Sequence, residues 1–514
     1  MTSVLKKNIA ANYVGQGLSG AANLIFIPIY IALFGLASFG LIGLYNIALA
    51  WLPIFDLGLN QTVARTISAI SVEHSENLSR KASKARKNYA KVSFIIALSI
   101  GILTFATSKY IAYQWIPRSS VEPGTIATCL KIMSGIFALR ILENPYRATL
   151  LGLQEHISLN QINTVFIISR GLGILLLAPK FGATLIFFFA WNLLISLLSL
   201  GALCIQANKR FRNKRRFKAP SESILEDESS KKNTEGLEEQ GFARGVIIIT
   251  FLSLFLIQFD RLILSRIITL DQFAQYTVAT TAAGIIFTVT NPISTSILPQ
   301  LSESYLNSKP DDFRNKFEIA SQFSSILAGT CGLTLLLFSF QVIFAWTGDE
   351  NIASQCFNVL ILLAIGNLFN AYTSVPVQAQ LSKGITKPTI CLLGLSTLFY
   401  IPLLIILAPK YGVYACAGLW LLQNVCIMYP GLALTFKESK LGEFKDWIAS
   451  QNFKGLPSML LIALMIRASY GFYVSIFSSS RITAAAFVIV NFLAVSFTGL
   501  IATNLLAPNL PKRF

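Results

Sequence analysis

Arg140, Glu143 and Arg147 stand at i, i+3 and i+7 of a long apolar stretch, so a helix there puts all three on one face. Arg140 falls near the middle of that stretch, and Glu143 is placed to pair with Arg147. Lys131, nine residues before Arg140, projects from roughly the opposite side. Other charges fall inside other apolar stretches: Asp56, Arg65, Arg170, and the run Asp260, Arg261 and Arg266. Asp260 and Arg261 are adjacent and cannot face the same side, so one must find another partner. An ionised side chain at mid-bilayer costs about 2.5–3.5 kcal/mol even on the lenient insertion scale, so such residues should face a cavity or each other. Arg140 and Arg170 lie near mid-depth, and the nearby acids are too few to neutralise every base. These two residues predict a basic, water-filled cavity for an anionic ligand, because a planar guanidinium binds phosphate oxygens bidentately. Arg147, Lys131 and Arg261 are further candidate contacts, although Lys131 and Arg266 lie near span ends, where snorkelling to the interface competes. Burial favours protonation of a carboxylate, which makes Asp56, Glu143 and Asp260 the candidates for carrying a coupling ion. For Glu143 and Arg147 a purely structural salt bridge is the competing reading.

The elements that must hold these charges are membrane helices. Apolar residues make up 54% of the 514 positions and only 13% are charged, whereas a soluble surface needs about 25%. Mean hydropathy is +0.61. A net charge of +18 and a pI near 9.6 raise the question of nucleic acid. The basic residues cluster in loops between apolar spans, which suits membrane lipids and topology control and excludes nucleic acid as the expected partner. Seven scattered cysteines and two histidines (His74, His156) lack the spacing of zinc, haem or disulfide frameworks, so no cofactor or metal is expected.

At about 20 apolar residues per span, fourteen helices are predicted, near 8–34, 40–70, 89–108, 123–153, 157–178, 181–207, 242–268, 270–303, 316–340, 353–382, 387–407, 411–436, 457–475 and 481–506. The first is too long for a cleavable signal and follows Lys6 and Lys7. Segments 71–91 and 208–241 are rich in Lys and Arg, while the alternate connections hold little beyond Lys109, Arg118, Lys180, Lys410 and Arg481. The positive-inside rule then puts both termini in the cytoplasm. Leu177-Ala178-Pro179-Lys180-Phe181-Gly182 recurs 230 residues later as Leu407-Ala408-Pro409-Lys410-Tyr411-Gly412, and PYRATLLGLQ (145–154) has its match in PVQAQLSKG (376–384). The fold class is therefore an all-α polytopic membrane protein built on a parallel repeat. Its expected parts are a six-helix lobe (1–207), a cytoplasmic linker (208–241), a second six-helix lobe (242–436), an interfacial segment (437–456) and two additional helices (457–514). In the interfacial segment, Leu441, Phe444, Trp447 and Ile448 share a helical face.

The opening NYVGQGLSGAANLIFIPIYIALFGLASFGLIGLY, followed by WLPIFDLGLNQTVART, resembles bacterial polysaccharide repeat-unit flippases of the O-antigen type. These belong to the multidrug/oligosaccharidyl-lipid/polysaccharide exporter superfamily. Phe39-Gly40, Asp56-Leu57-Gly58-Leu59 and Leu151-Gly152-Leu153-Gln154 with Asn160 carry much of the likeness. The resemblance implies two six-helix lobes, alternating access around a cationic cavity in the bacterial inner membrane, and no enzymatic chemistry. Its implied partners are a lipid-pyrophosphate-linked oligosaccharide, a coupling proton or sodium ion, and polysaccharide assembly proteins. Two helices beyond the usual twelve are a departure, shared with lipid-linked peptidoglycan precursor flippases of the superfamily.

Two other functions compete. A drug or cation antiporter of the same superfamily needs acids to dominate its cavity, whereas Lys131, Arg140, Arg147 and Arg170 outnumber Asp56 and Glu143 in the first half. A membrane-integral polysaccharide polymerase or ligase needs catalytic groups on a sizeable surface loop, and the connection at 109–122 offers Lys109, Arg118 and Glu122 without an acid–base set.

Overall fold

A computed structural model describes residues 24–56, 59–69, 76–117, 119–216, 232–439, 441–452, 455–476 and 480–503. The first part of the expected first span, residues 217–231 of the expected linker, and Leu57-Gly58 of the quoted motif lie outside these described residues, as does the side chain of Asp56.

Helix after helix follows from the apolar runs. The first half comprises α1 (Leu24–Phe34), α2 (Leu36–Trp51), α3 (Leu59–Ala69), α4 (Glu76–Tyr110), α5 (Pro123–Gly152), α6 (His156–Phe181) and α7 (Leu185–Arg216). Gly35, at φ 83°, separates α1 from α2. A 3-10 turn (Leu52–Asp56) extends α2, and a π-helical turn (Ile111–Trp115) extends α4. The second half comprises α8 (Lys232–Ile267), α9 (Leu270–Ala283), α10 (Ile285–Leu306), α11 (Pro310–Leu337), α12 (Ser339–Thr347), α13 (Glu350–Ser382), α14 (Lys387–Tyr411), α15 (Val413–Cys426) and α16 (Leu432–Ser439). A short α17 (Phe444–Asp446) leads into a π-helical turn, and α18 (Leu456–Ile476) and α19 (Arg481–Ala502) follow.

Among the described residues twelve helices are long and apolar enough to cross a membrane. The pair α9 and α10, bent by 40° at Gly284, adds a thirteenth span, and α1 is the described part of the first. The all-helical polytopic membrane fold is thus the observed one, its twelve to thirteen spans among the described residues roughly consistent with the expected fourteen. Several helices outrun the sequence estimate: the third span runs from Arg80 to Trp115, against an expected 89–108. Its additional turns carry Lys and Arg, which hydropathy discounts although they are good helix formers.

The chain divides into two compact units. Unit 1 comprises Met1–Lys232 with Ile268–Ala274, and unit 2 comprises Asn233–Ile267 with Gln275–Phe514. Within unit 1, a Cβ on Gly40 would lie 2.2 Å from the carbonyl oxygen of Leu270, so the Gly of the Phe39-Gly40 pair allows two backbones to meet. The two repeats end their helices alike. Gly182 after α6 (φ 87°) and Gly412 after α14 (φ 58°) both turn the chain left-handed, as do Gln154 after α5 (φ 60°) and Gly384 after α13 (φ 75°).

In unit 2 the additional pair α18 and α19 packs against α11 through Ile326, Leu333, Met459, Ala463 and Val495. Polar pins fix the register: Asn491 donates to Thr334 Oγ1 at 2.9 Å, and Arg481 donates to the carbonyls of Ala345 and Trp346 at 3.0 and 3.1 Å. Arg467, half-buried in mid-helix, stacks over Phe338 and Tyr470. Phe338 sits at the break between α11 and α12.

Candidate functional site

In unit 1, α5 carries Arg140, Glu143 and Arg147 along one face, and all three meet. Glu143 is 1% exposed. Its Oε2 accepts from Arg140 Nη1 at 3.2 Å, from Arg147 Nη2 at 2.8 Å and from Arg147 Nε at 3.1 Å. Arg147 Nη1 donates to Asn163 Oδ1 on α6 at 2.8 Å, so α6 fixes the guanidinium plane. The carboxylate lies beneath and the two guanidinium groups stand above it, 21% and 23% exposed.

Arg170 on α6 joins them from a second helix. Its Nη2 donates to Ser196 Oγ on α7 at 3.4 Å, and its charge acts on Arg140, Arg147, Glu143 and Tyr45. Tyr45 on α2 and Tyr30 on α1 both lie in the field of Arg170. Among the described residues one carboxylate therefore stands with three guanidinium groups in this cluster. Among the described residues Arg140 Nε and Arg170 Nε find no acceptor, and Ser199 on α7 lends its hydroxyl to the Glu143 carboxylate. Donors left over beside a charge imbalance of this sign suit a multivalent oxyanion.

Lys131, Asp260 and Arg261 sit elsewhere, and the side chain of Asp56 lies outside the described residues. Lys131 lies on another face of α5, its Nζ 5.6 Å from the centre of the Phe105 ring on α4. The structure does not bring it to the arginines. Asp56 closes the 3-10 turn after α2. Asp260 and Arg261 belong to unit 2; their side chains take different hydrogen-bond partners, while the Arg261 charge still acts on Asp260. Asp260 is 6% exposed; its Oδ2 accepts from Tyr276 Oη at 2.5 Å and its Oδ1 from the Arg261 backbone N–H at 2.7 Å. Arg261 Nη1 reaches Gln258 Oε1 at 3.4 Å, while its Nε stays buried without an acceptor. Tyr400 on α14 and Cys416 on α15 lie in the field of Asp260.

Sequence reasoning missed Tyr30, Tyr45, Asn163, Ser196, Tyr276, Tyr400 and Arg467. For most of these a signal existed in the 230-residue repeat. Tyr30 and Arg170 recur at that offset as Asp260 and Tyr400, and Tyr45 recurs one residue further on as Tyr276. Each unit thus builds a three-helix cluster at matching places, Tyr30–Tyr45–Arg170 in unit 1 and Asp260–Tyr276–Tyr400 in unit 2. The charged member changes sign and changes helix. Arg467 has no such counterpart, and its signal was simply a cation in mid-span.

Among known proteins, 388 residues of the chain are 24% identical to a protein named "Putative O-antigen transporter" from Shigella flexneri, covering 74% of this chain and 87% of that one. The fold is shared with several solved structures. The lipid II flippase MurJ in its inward closed conformation superposes with a TM-score of 0.62 at 15% identity, over 97% of this chain and 98% of that one. An inward-facing multidrug resistance MATE family transporter of the MOP superfamily gives 0.61 at 12% identity, over 83% and 94%. A MOP superfamily transporter from Pyrococcus furiosus, described as having a binding pocket of reverse polarity that suggests a different function, gives 0.53 at 14% identity, over 85% and 96%. A model of the polysaccharide biosynthesis protein family matches residues 5–305, more than half of the sequence and the whole arginine cluster. The chain is a multi-pass membrane protein that belongs to the polysaccharide biosynthesis protein family.

Proposed function

We propose that this protein is a flippase that moves an undecaprenyl-pyrophosphate-linked oligosaccharide, an O-antigen or exopolysaccharide repeat unit, across the bacterial inner membrane by alternating access. The observation that carries the reading is a cluster in which, among the described residues, three guanidinium groups share the one carboxylate of Glu143, with N–H donors to spare. A pyrophosphate supplies the missing charge and accepts several donors at once, which a drug cation does not. In this reading Arg140, Arg147 and Arg170 hold the pyrophosphate, and both termini lie in the cytoplasm.

Coupling to a proton or sodium ion is assigned to the carboxylates, with Asp260 as the leading one because it is buried and held by a phenol rather than by a guanidinium. Glu143 is committed to two arginines, and Asp56 is the third candidate. The decisive experiment depletes the protein and identifies the lipid-linked glycan that builds up in the inner leaflet. Accumulation of a pyrophosphate-linked repeat unit is expected. No accumulation, together with proton-driven efflux of cationic dyes, would replace the reading with a drug antiporter.

A further inference from the structure

Unit 2 contains a cavity of about 850 Å³, separate from either charged cluster. Its walls are the α10–α11 turn, the end of α13 and the segment around α17. This is the end of unit 2 from which α8 sets out, since Gly245 packs on Thr386 between α13 and α14. The 28 residues of α11 are about 42 Å of helix at 1.5 Å each, against about 30 Å of hydrocarbon. Its first turns, rich in charge, therefore stand in the headgroup layer.

The wall has an aromatic side and a charged side. Tyr305, Phe313, Phe317 and Trp447 form the first. On the second, Arg314 is paired with Glu318 at 2.9 Å, and Lys383 donates to the Ser439 carbonyl at 2.7 Å. Three groups have nothing comparable among the described residues. Lys309 reaches Asp312 only through its field, Glu443 makes no ion pair, and the Trp447 indole N–H has no acceptor although the residue is 4% exposed. One unpaired cation, one unpaired anion and one orphan donor thus line a single cavity at headgroup depth.

We propose that this cavity binds a phosphoethanolamine group, the head of a membrane phospholipid. The phosphate accepts from Lys309 and from Trp447 Nε1–H, and the ammonium donates to Glu443. Tyr305, Phe313 and Phe317 take the glycerol and the first acyl carbons. A purely anionic head satisfies Lys309 but sets a second negative charge against Glu443, so selectivity for the zwitterion follows from the unpaired acid.

The test titrates delipidated full-length protein with phosphatidylethanolamine, phosphatidylglycerol and soluble glycerophosphoethanolamine, reading bound adducts by native mass spectrometry. Phosphatidylethanolamine should bind about three- to fivefold tighter than phosphatidylglycerol, the effect of one half-exposed ion pair. Glu443→Gln should erase that preference while keeping phosphatidylglycerol binding. Lys309→Ala and Trp447→Phe should weaken both lipids. Lys309 and Glu443 are exposed, so an unchanged thermal midpoint without lipid shows that these variants fold. Displacement of the lipid by the soluble ester assigns recognition to the head alone; its failure to displace assigns it to the intact lipid, and either result keeps the site. Equal affinity for the two lipids, or a preference that survives Glu443→Gln, overturns it.

Discussion

In unit 1 the cation Arg170 stands with Tyr30 and Tyr45; at the matching places of unit 2 the anion Asp260 stands with Tyr276 and Tyr400. The long helix of each repeat differs in the same spirit. In unit 1, α5 presents Arg140, Glu143 and Arg147, while in unit 2 the corresponding α13 presents neutral groups. Asn367 accepts from Trp420 at 2.8 Å, Asn370 donates to Asn424 at 2.7 Å, and Ser374 accepts from Ser294 at 2.9 Å. The repeat has kept its helix ends and one phenol, Tyr45 as Tyr276, while the charge has changed sign and the second phenol has moved from the place of Tyr30 to that of Arg170. A phenol tolerates that exchange because its hydroxyl donates to a carboxylate and its oxygen and ring accept from a cation. In the proposed reading, one half takes the anionic cargo and the other a proton or small cation.

The comparison breaks most visibly if the arginines are removed. Arg140→Ala with Arg170→Ala deletes two charged donor groups, about 1.5–3 kcal/mol each, so cargo transport should fall by roughly two to four orders of magnitude. Membrane levels should be unaltered, which immunoblotting of the membrane fraction checks alongside a glycan-export assay. Full export would end the assignment of unit 1 to anions.

Glu143→Ala probes the other side of the same cluster. It leaves the three guanidinium groups without their shared counter-charge, and removal of one partner from a buried ion pair costs about 3–5 kcal/mol. A large drop in the thermal midpoint in detergent is expected, with partial recovery on adding pyrophosphate. No recovery would mean that the arginines do not accept an oxyanion in place of the carboxylate.

Asp260→Asn sharpens the contrast between units. The amide keeps a hydrogen bond to Tyr276 but cannot carry a proton, so stability should change by only about 1 kcal/mol. Transport should lose its response to an imposed proton or sodium gradient. A gradient response equal to that of the parent would remove Asp260 from coupling.

The smallest effect concerns the helix ends. Gln154 and Gly384 hold the same left-handed turn after α5 and α13. Gln154→Gly should stabilise by at most about 1 kcal/mol, and Gly384→Ala should destabilise by a similar amount, as chemical denaturation in micelles would record.

Much of this was readable in the residues. The spacing of Arg140, Glu143 and Arg147 fixed their meeting on one face, because three and four residues nearly complete a helical turn whatever the surroundings. The spans and the LAPK repeat followed from apolar length and from an identical string of residues. The Tyr30–Asp260 and Arg170–Tyr400 correspondences were also present in the chain, but residues that differ in both type and charge leave no similarity to notice until their neighbours are known. Depth and helical face already set Lys131 apart from the arginines; its neighbour, the ring of Phe105 across on α4, only the packing supplied.

By itself the sequence determined the solvent, since a chain this apolar must span a bilayer as helices that satisfy their own backbones. It also determined the pairing of charges within a single helix, which the helical period imposes. Only the tertiary structure decided which partners come from other helices: Asn163 for Arg147, Ser196 for Arg170, Tyr276 for Asp260, Phe338 for Arg467. Such partners are set by how helices rotate and slide against one another, and that packing is a property of many side chains at once rather than of any local spacing.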